Sequence, residues 1–295
     1  MKPVLLQLTL GGNTFSLLAY STFYTLAWVT APLVGAYIAH RRGLPGRRVL
    51  AVYGIALLSG IVGARVFDLF IAGNFYAEDP GRIWGLTFQG FSLYGGLSIA
   101  ALTGIALTHL WKLPTWRVAD SAIPALVVGQ VLMRTGCFLR GCCSGLPTDL
   151  PWGVTFPMGS PAWTLQLLDG TTGIFGFMGE VRPVHPTQLY EMAGAVLFGL
   201  LALWLMRRTP VAPTDPPPRR SRTLPDGVPF LAYALGFTLV RLGNHFLRAR
   251  QAVITAPEWF YPAFYVGLAV ALAMLLVWRV RQKRTIAGAQ KISRG

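Results

Sequence analysis

Apolar residues gather into seven long stretches, near residues 15–39, 49–72, 90–110, 118–138, 188–206, 228–247 and 260–280. Each approaches the roughly 20 residues that carry a helix across a bilayer. Gly90, Gly95 and Gly96 interrupt the third stretch, and Asp120 and Pro124 interrupt the fourth. The pattern predicts an all-α integral membrane protein, a single polytopic domain over 1–295 with about seven transmembrane helices. Residues 139–187 are too long for a simple connection. They mix Trp152, Phe156, Trp163, Phe175 and Phe177 with Gly and Pro, and Asp169-Gly170 signals a turn. A small folded segment on the outer surface, short strands included, is expected there. Residues 208–229 hold Pro210, Pro213, Pro216, Pro217, Pro218 and Pro225 among several arginines. They read as an exposed cytoplasmic linker without a catalytic role.

With 53% hydrophobic and only 13% charged residues in 295, the chain is not an ordinary soluble domain. The net charge of +15 suggests nucleic acid until the charges are placed. Arg41, Arg42, Arg47 and Arg48 lie between the first two stretches, and Lys112 and Arg117 between the third and fourth. Arg207, Arg208, Arg219, Arg220 and Arg222 follow the fifth, and Arg279, Arg281, Lys283, Arg284, Lys291 and Arg294 form the tail. Most of the 26 basic residues thus fall in every second connection, as on a cytoplasmic face. Glu78, Asp79, Asp149, Asp169, Glu180 and Glu258 lie in the others. This orients the N-terminus outside and the C-terminus inside, and removes the reason to invoke nucleic acid. Met1–Leu10 has one lysine and no long apolar run, so it is not read as a signal peptide.

In that orientation Tyr20, Arg65, Tyr94, Arg134, Gln188, Glu191, Arg241 and His245 all fall in the outer parts of their spans. Ionisable residues inside a membrane are costly and mark function by default. Three arginines with few carboxylates nearby predict a strongly positive cavity, and the planar guanidinium fork suits phosphate. Just below the outer headgroups, that phosphate belongs to a phospholipid. Snorkelling accounts for Arg248 and Arg250 but less well for Arg134 and Arg241. Gly95-Gly96, at a helix entrance, suggests a close approach of backbone to a ligand. Cys137, Cys142 and Cys143 are the only cysteines. An odd number with two adjacent argues against a disulfide framework. With His185 or His245 they would make a Cys/His metal site, but the step of five followed by a neighbour is not the usual zinc spacing. No Cys-x-x-Cys pair is present. Packing is the expected role, above all for Cys143, and no metal or cofactor is expected.

Two motifs give the chain a family likeness. His185-Pro-Thr-Gln-Leu-Tyr-Glu191 and the arginine- and glycine-containing loop from Arg134 and Gly136 to Gly145 resemble signatures of the bacterial prolipoprotein diacylglyceryl transferases. Phe15-Ser-Leu-x-x-Tyr20, Gly63-x-Arg65 and Arg241 with Arg248 are similar to weaker family patterns. The resemblance implies the bacterial inner membrane, a periplasmic N-terminus, and transfer of diacylglyceryl from phosphatidylglycerol to a prolipoprotein lipobox thiol. It implies catalytic roles for Arg134, Arg241, His185 and Tyr94. Substrate-binding roles fall to Tyr20, Arg65, Gly95, Gly96, Gly136, Gly145, Gln188, Tyr190, Glu191 and His245. Against the family pattern, Cys137, Arg140 and Cys142 replace Asn, Asn and Glu, Tyr94 replaces a histidine, and His245 replaces an acidic residue. His185, His245 and Tyr94 are alternative thiol bases. A non-catalytic phospholipid-binding relative and a membrane thiol or metal protein are the competing functions. The alternation of arginines predicts that a reporter active only outside the cytoplasm stays silent when fused into residues 208–229. Activity of that fusion would overturn the orientation.

Overall fold

The computed structural model describes residues 4–10, 13–71, 93–168, 181–209, 224–249 and 257–292. Among them, an antiparallel hairpin of β1 (Val4–Leu10) and β2 (Asn13–Leu18) precedes eight helices. These are α1 (Ala19–Arg41), α2 (Gly46–Ile71), α3 (Leu93–Leu110), α4 (Thr115–Arg140), α5 (Pro161–Leu168), α6 (Thr187–Met206), α7 (Val228–Leu247) and α8 (Phe260–Ile292). The hairpin corrects the expected start of the first span at residue 15 and adds strand to an all-α expectation. Leu8 pairs with Phe15 and Leu10 with Asn13. Its cause lies in the sequence: Thr14, Phe15, Ser16 and Leu17 alternate polar and apolar, the period of a strand.

Helices α1, α2, α4, α6 and α8 are long and apolar enough to cross a membrane. Helix α3 is apolar but shorter. Helix α7 has the length, but Arg241, Asn244 and His245 in its last two turns lower its hydropathy. Large apolar side chains face outward, with Leu58, Phe70, Leu197 and Met274 all more than half exposed. Asp120, Gln130, Arg134, Glu191 and Arg241 are buried. Apolar outside and polar within is the reverse of a soluble bundle and suits a surround of lipid.

Helix α4 packs against both α1 and α6, α7 joins α6 to α8, and α2 bridges α1 and α3. Small residues set the closest of these approaches. A Cβ on Gly63 would lie 3.0 Å from the Gly95 carbonyl oxygen, and one on Gly96 would lie 2.9 Å from that of Gly60. The close approach that Gly95 and Gly96 permit is therefore to the backbone of α2, where the sequence had suggested a ligand.

The arginine-rich connections meet at one end of the bundle. Arg42 donates to Thr209 Oγ1 at 2.7 Å, and Arg117 donates to the Arg42 carbonyl at 2.7 Å. Asp120 of α4 accepts the backbone N–H groups of Gly227 at 2.8 Å and Phe230 at 3.0 Å, capping α7 from another helix. Arg279 donates to the Asp226 carbonyl at 2.9 Å. A core of Val49, Val52, Leu113 and Val118 lies at the same end, and Ile123, Ala202, Met206 and Tyr233 continue it between α4, α6 and α7.

Between α4 and α6 the described residues form single bridges, Pro147 and Val154 with Val184 and Gly145 with Arg248. They and α5 enclose a small core of Phe156, Ala162 and Val184. The outer connection at 72–92, residues 169–180 and most of the 208–229 linker lie outside the described residues.

Candidate active site

Glu191 stands one turn into α6, is 1% exposed, and gathers partners from two neighbouring helices. From α4, Arg134 Nη2 meets its Oε2 at 2.5 Å, and Gln130 Nε2 donates to the same oxygen at 3.2 Å. From α7, Arg241 Nη1 pairs with Oε1, and Asn244 Nδ2 donates to it at 2.9 Å. Asn244 also reaches the Thr187 carbonyl at 3.1 Å. A fourth helix joins through Tyr265 of α8, whose hydroxyl accepts from Arg241 Nη2 at 3.3 Å. The helical period explains the convergence: Gln130 and Arg134 are four apart on one face of α4, and Arg241 and Asn244 three apart on α7.

Two guanidinium groups on one carboxylate leave a formal charge of plus one in a buried place. Of the three arginines expected to line a strongly positive cavity, two meet here, and Glu191 offsets one of their two charges. The arrangement has spare hydrogen-bonding capacity. Arg134 Nε, Gln188 Oε1 and Asn244 Oδ1 are buried and have no hydrogen-bond partner among the described residues. Unpaired buried polar atoms are costly, and at a site they point to a ligand.

The loop after α4 is sewn to α6 and α7 by its backbone. Gln188 Nε2 donates to the Cys142 carbonyl and Thr187 Oγ1 to that of Cys143, both at 2.6 Å. The Gly145 N–H donates to the His185 carbonyl at 2.9 Å, and the Leu146 N–H to that of Leu247 at 2.8 Å. A Cβ on Gly145 would sit 2.5 Å from both His185 Cβ and the Leu247 oxygen, so only glycine fits. His185 Nδ1 lies 3.2 Å from the Tyr190 hydroxyl, which accepts from Trp152 Nε1 at 2.9 Å. His245 is ringed by Phe246, Tyr261 and Tyr265.

On the α1 side, Gly136 brings α4 against the backbone of Tyr20. Arg140 stacks over the Tyr20 ring at 4.8 Å, and the Tyr24 hydroxyl lies 3.5 Å from Cys137 Sγ. The three cysteines are free, and their sulfur atoms lie within 4.8 Å of one another. Hydrogen bonds with the Cys137 and Cys142 thiols, reinforced by Arg248 and Arg134, hold the Cys143 thiol well below the usual range.

The family model for prolipoprotein diacylglyceryl transferase matches residues 3–285. The chain belongs to that family. It is 25% identical to the phosphatidylglycerol–prolipoprotein diacylglyceryl transferase of Synechococcus elongatus over 90% of this chain and 85% of the relative. It is 29% identical to that of Geobacter sulfurreducens over 86% of this chain and 89% of the relative. With that of Finegoldia magna it shares 27% identity over 64% of this chain and 66% of the relative.

Of the residues singled out in this transferase-family chain, Arg134, Glu191 and Arg241 meet directly. Gln188, His185, Tyr190 and Gly145 join them through the loop, and His245 through Tyr265. Tyr20 and Gly136 line the α1–α4 contact, Gly136 lying two residues past Arg134. Arg65, Gly95 and Gly96 lie on the α2–α3 pair, and the Tyr94 side chain lies outside the described residues. Sequence reasoning missed Gln130, Tyr265 and Tyr24 as partners. Gln130 was detectable as a polar residue four before Arg134 in an apolar span, whereas the two tyrosines carry no such mark. Removing one partner from a buried pair costs about 3–5 kcal/mol. Glu191→Gln, which leaves two guanidinium groups facing each other, is expected to lower the thermal midpoint in detergent by several degrees. An unchanged midpoint would show that the cluster does not hold α4, α6 and α7 together.

Proposed function

We propose that this chain transfers the diacylglyceryl group of phosphatidylglycerol to the lipobox cysteine thiol of bacterial prolipoproteins. The observation that carries the reading is the buried Arg134–Glu191–Arg241 cluster, with its residual positive charge and the unpaired Arg134 Nε. Family membership and the names of the relatives support the substrate assignment. Glu191 is a positioning residue that fixes both guanidinium planes. Arg134 and Arg241 hold the lipid phosphate. The lipobox thiolate attacks the terminal diacylglyceryl carbon, the carbon–oxygen bond breaks, and its electron pair leaves on glycerol phosphate as the thioether forms. Preorganised donors at the developing charge lower the barrier most.

The thiol must lose a proton, and His185 is the acceptor we assign. Its Nδ1 is held at the Tyr190 hydroxyl, the support expected of a base oriented by a third group. Tyr20, Arg65, Gly136, Gly145, Gln188, Tyr190 and His245 surround the two substrates in this proposal, Gly95 and Gly96 serve the packing of α3 on α2, and Tyr94 retains the catalytic role assigned to its position. No metal or cofactor takes part in the transfer step. The arginine-rich connections lie at the end of the bundle opposite the cluster, which supports seven spans, counting α3 and α7, with a cytoplasmic C-terminus in the bacterial inner membrane. The reaction then takes place near the outer leaflet, at the outer, periplasmic side.

The assay is conversion of phosphatidylglycerol and a lipobox peptide to thioether by the purified protein in detergent. Arg134→Ala and Arg241→Ala should each lose about 10²–10³ in rate, the usual cost of one preorganised donor. Lysine at either position restores charge without the planar fork and should recover only part of the loss. Full turnover in both alanine variants would refute the phosphate clamp, and no turnover by the wild type would favour a lipid-binding relative. His185→Asn should be slowest at neutral pH and approach the wild type above about pH 8.5, where a thiol ionises unaided. A defect of constant size across that range would remove His185 as the base.

A further inference from the structure

We propose that Cys137, Cys142 and Cys143 form a three-thiolate site for a thiophilic metal ion of the Zn(II) or Cu(I) kind. All three Sγ lie within 4.8 Å of one another, close enough to share one ion. Zinc–sulfur bonds of about 2.3 Å place the sulfurs of a site about 3.8–4.0 Å apart, so a small inward movement completes the set.

The backbone is bent to make this meeting possible. Cys137 projects from the last turn of α4, and Gly141 ends the helix in the left-handed region at φ 77°. Cys143 holds φ 61°, a conformation that residues with a side chain seldom adopt, and it sits beside the other two instead of continuing away. Such strain persists where its surroundings require it. The chemistry favours soft ions: thiolates select zinc and copper(I), whereas magnesium and calcium take oxygen. On binding, each thiol gives its proton to solvent and its sulfur lone pair to the metal, with no change in oxidation state. Three thiolates around Zn(II) carry one net negative charge.

The ion has a structural consequence independent of the transfer reaction. The carbonyls of Cys142 and Cys143 receive Gln188 and Thr187, so a metal fastening those two residues to Cys137 also fastens the first turn of α6 to the end of α4.

The full-length protein, purified in detergent under reductant and then freed of it, is titrated with Cd(II). It should take up one ion per chain and gain the sulfur-to-cadmium charge-transfer absorption, which Zn(II) and Cu(I) abolish by displacement. Bound Zn(II) should also slow alkylation of all three cysteines in the wild type, a readout that needs no variant. Cys137→Ser, Cys142→Ser and Cys143→Ser should each lose the absorption. Failure of the wild type to bind Cd(II) while three thiols remain titratable overturns the proposal. So does a disulfide joining two of them in protein isolated without reductant.

Discussion

A buried carboxylate held between two guanidinium groups is the constraint to which this molecule is built. Burying any one of these charges alone would cost several kcal/mol, and the three are tolerable only together. Arg134, Glu191 and Arg241 belong to three helices, so the electrostatic requirement becomes a packing requirement. Helices α4, α6 and α7 must approach with their polar faces in one register. The apolar exteriors add no such direction, since lipid tails solvate them as well as other helices do. The glycines give proximity, and the ion pairs give phase.

Neutral groups complete the arrangement. Gln130 and Asn244 bring amide donors to the two oxygens of Glu191, and Tyr265 accepts from Arg241. The loop from Gly141 to Leu146 then fixes the starting point of α6 with hydrogen bonds to its carbonyls, supplied partly by side chains of the helix it holds. Rigid elements carry the charged atoms, and a strained turn carries the register between them.

How much of this was legible depends on the kind of signal each residue leaves. Arginine in an apolar span is conspicuous, so Arg134 and Arg241 stood out. Glu191 was visible as a residue, but its place between both arginines was not, because nothing in a sequence gives the relative rotation of two helices. The mutual approach of the three cysteines was hidden for a different reason. Spacing rules assume a regular turn between ligands, and here a left-handed glycine and a left-handed cysteine reverse the chain within a few residues. The hairpin at Val4–Leu18 was concealed by its continuity with an apolar helix, although its polar–apolar alternation was present to be read.

Helix α7 is gripped at both extremities by groups borne on other helices. At its first turn Asp120 takes two backbone N–H groups, and near its last Glu191 takes Arg241 and Asn244. From Phe230 to Arg241 is eleven residues, so the inner edges of the two grips lie about 17 Å apart at 1.5 Å per residue. Mechanically, α7 is a shaft seated in two bearings, one at each face of the bundle. Turning it on its axis breaks bonds at both ends at once, so the angle at which Arg241 is presented is set partly by a carboxylate on the far side of the molecule.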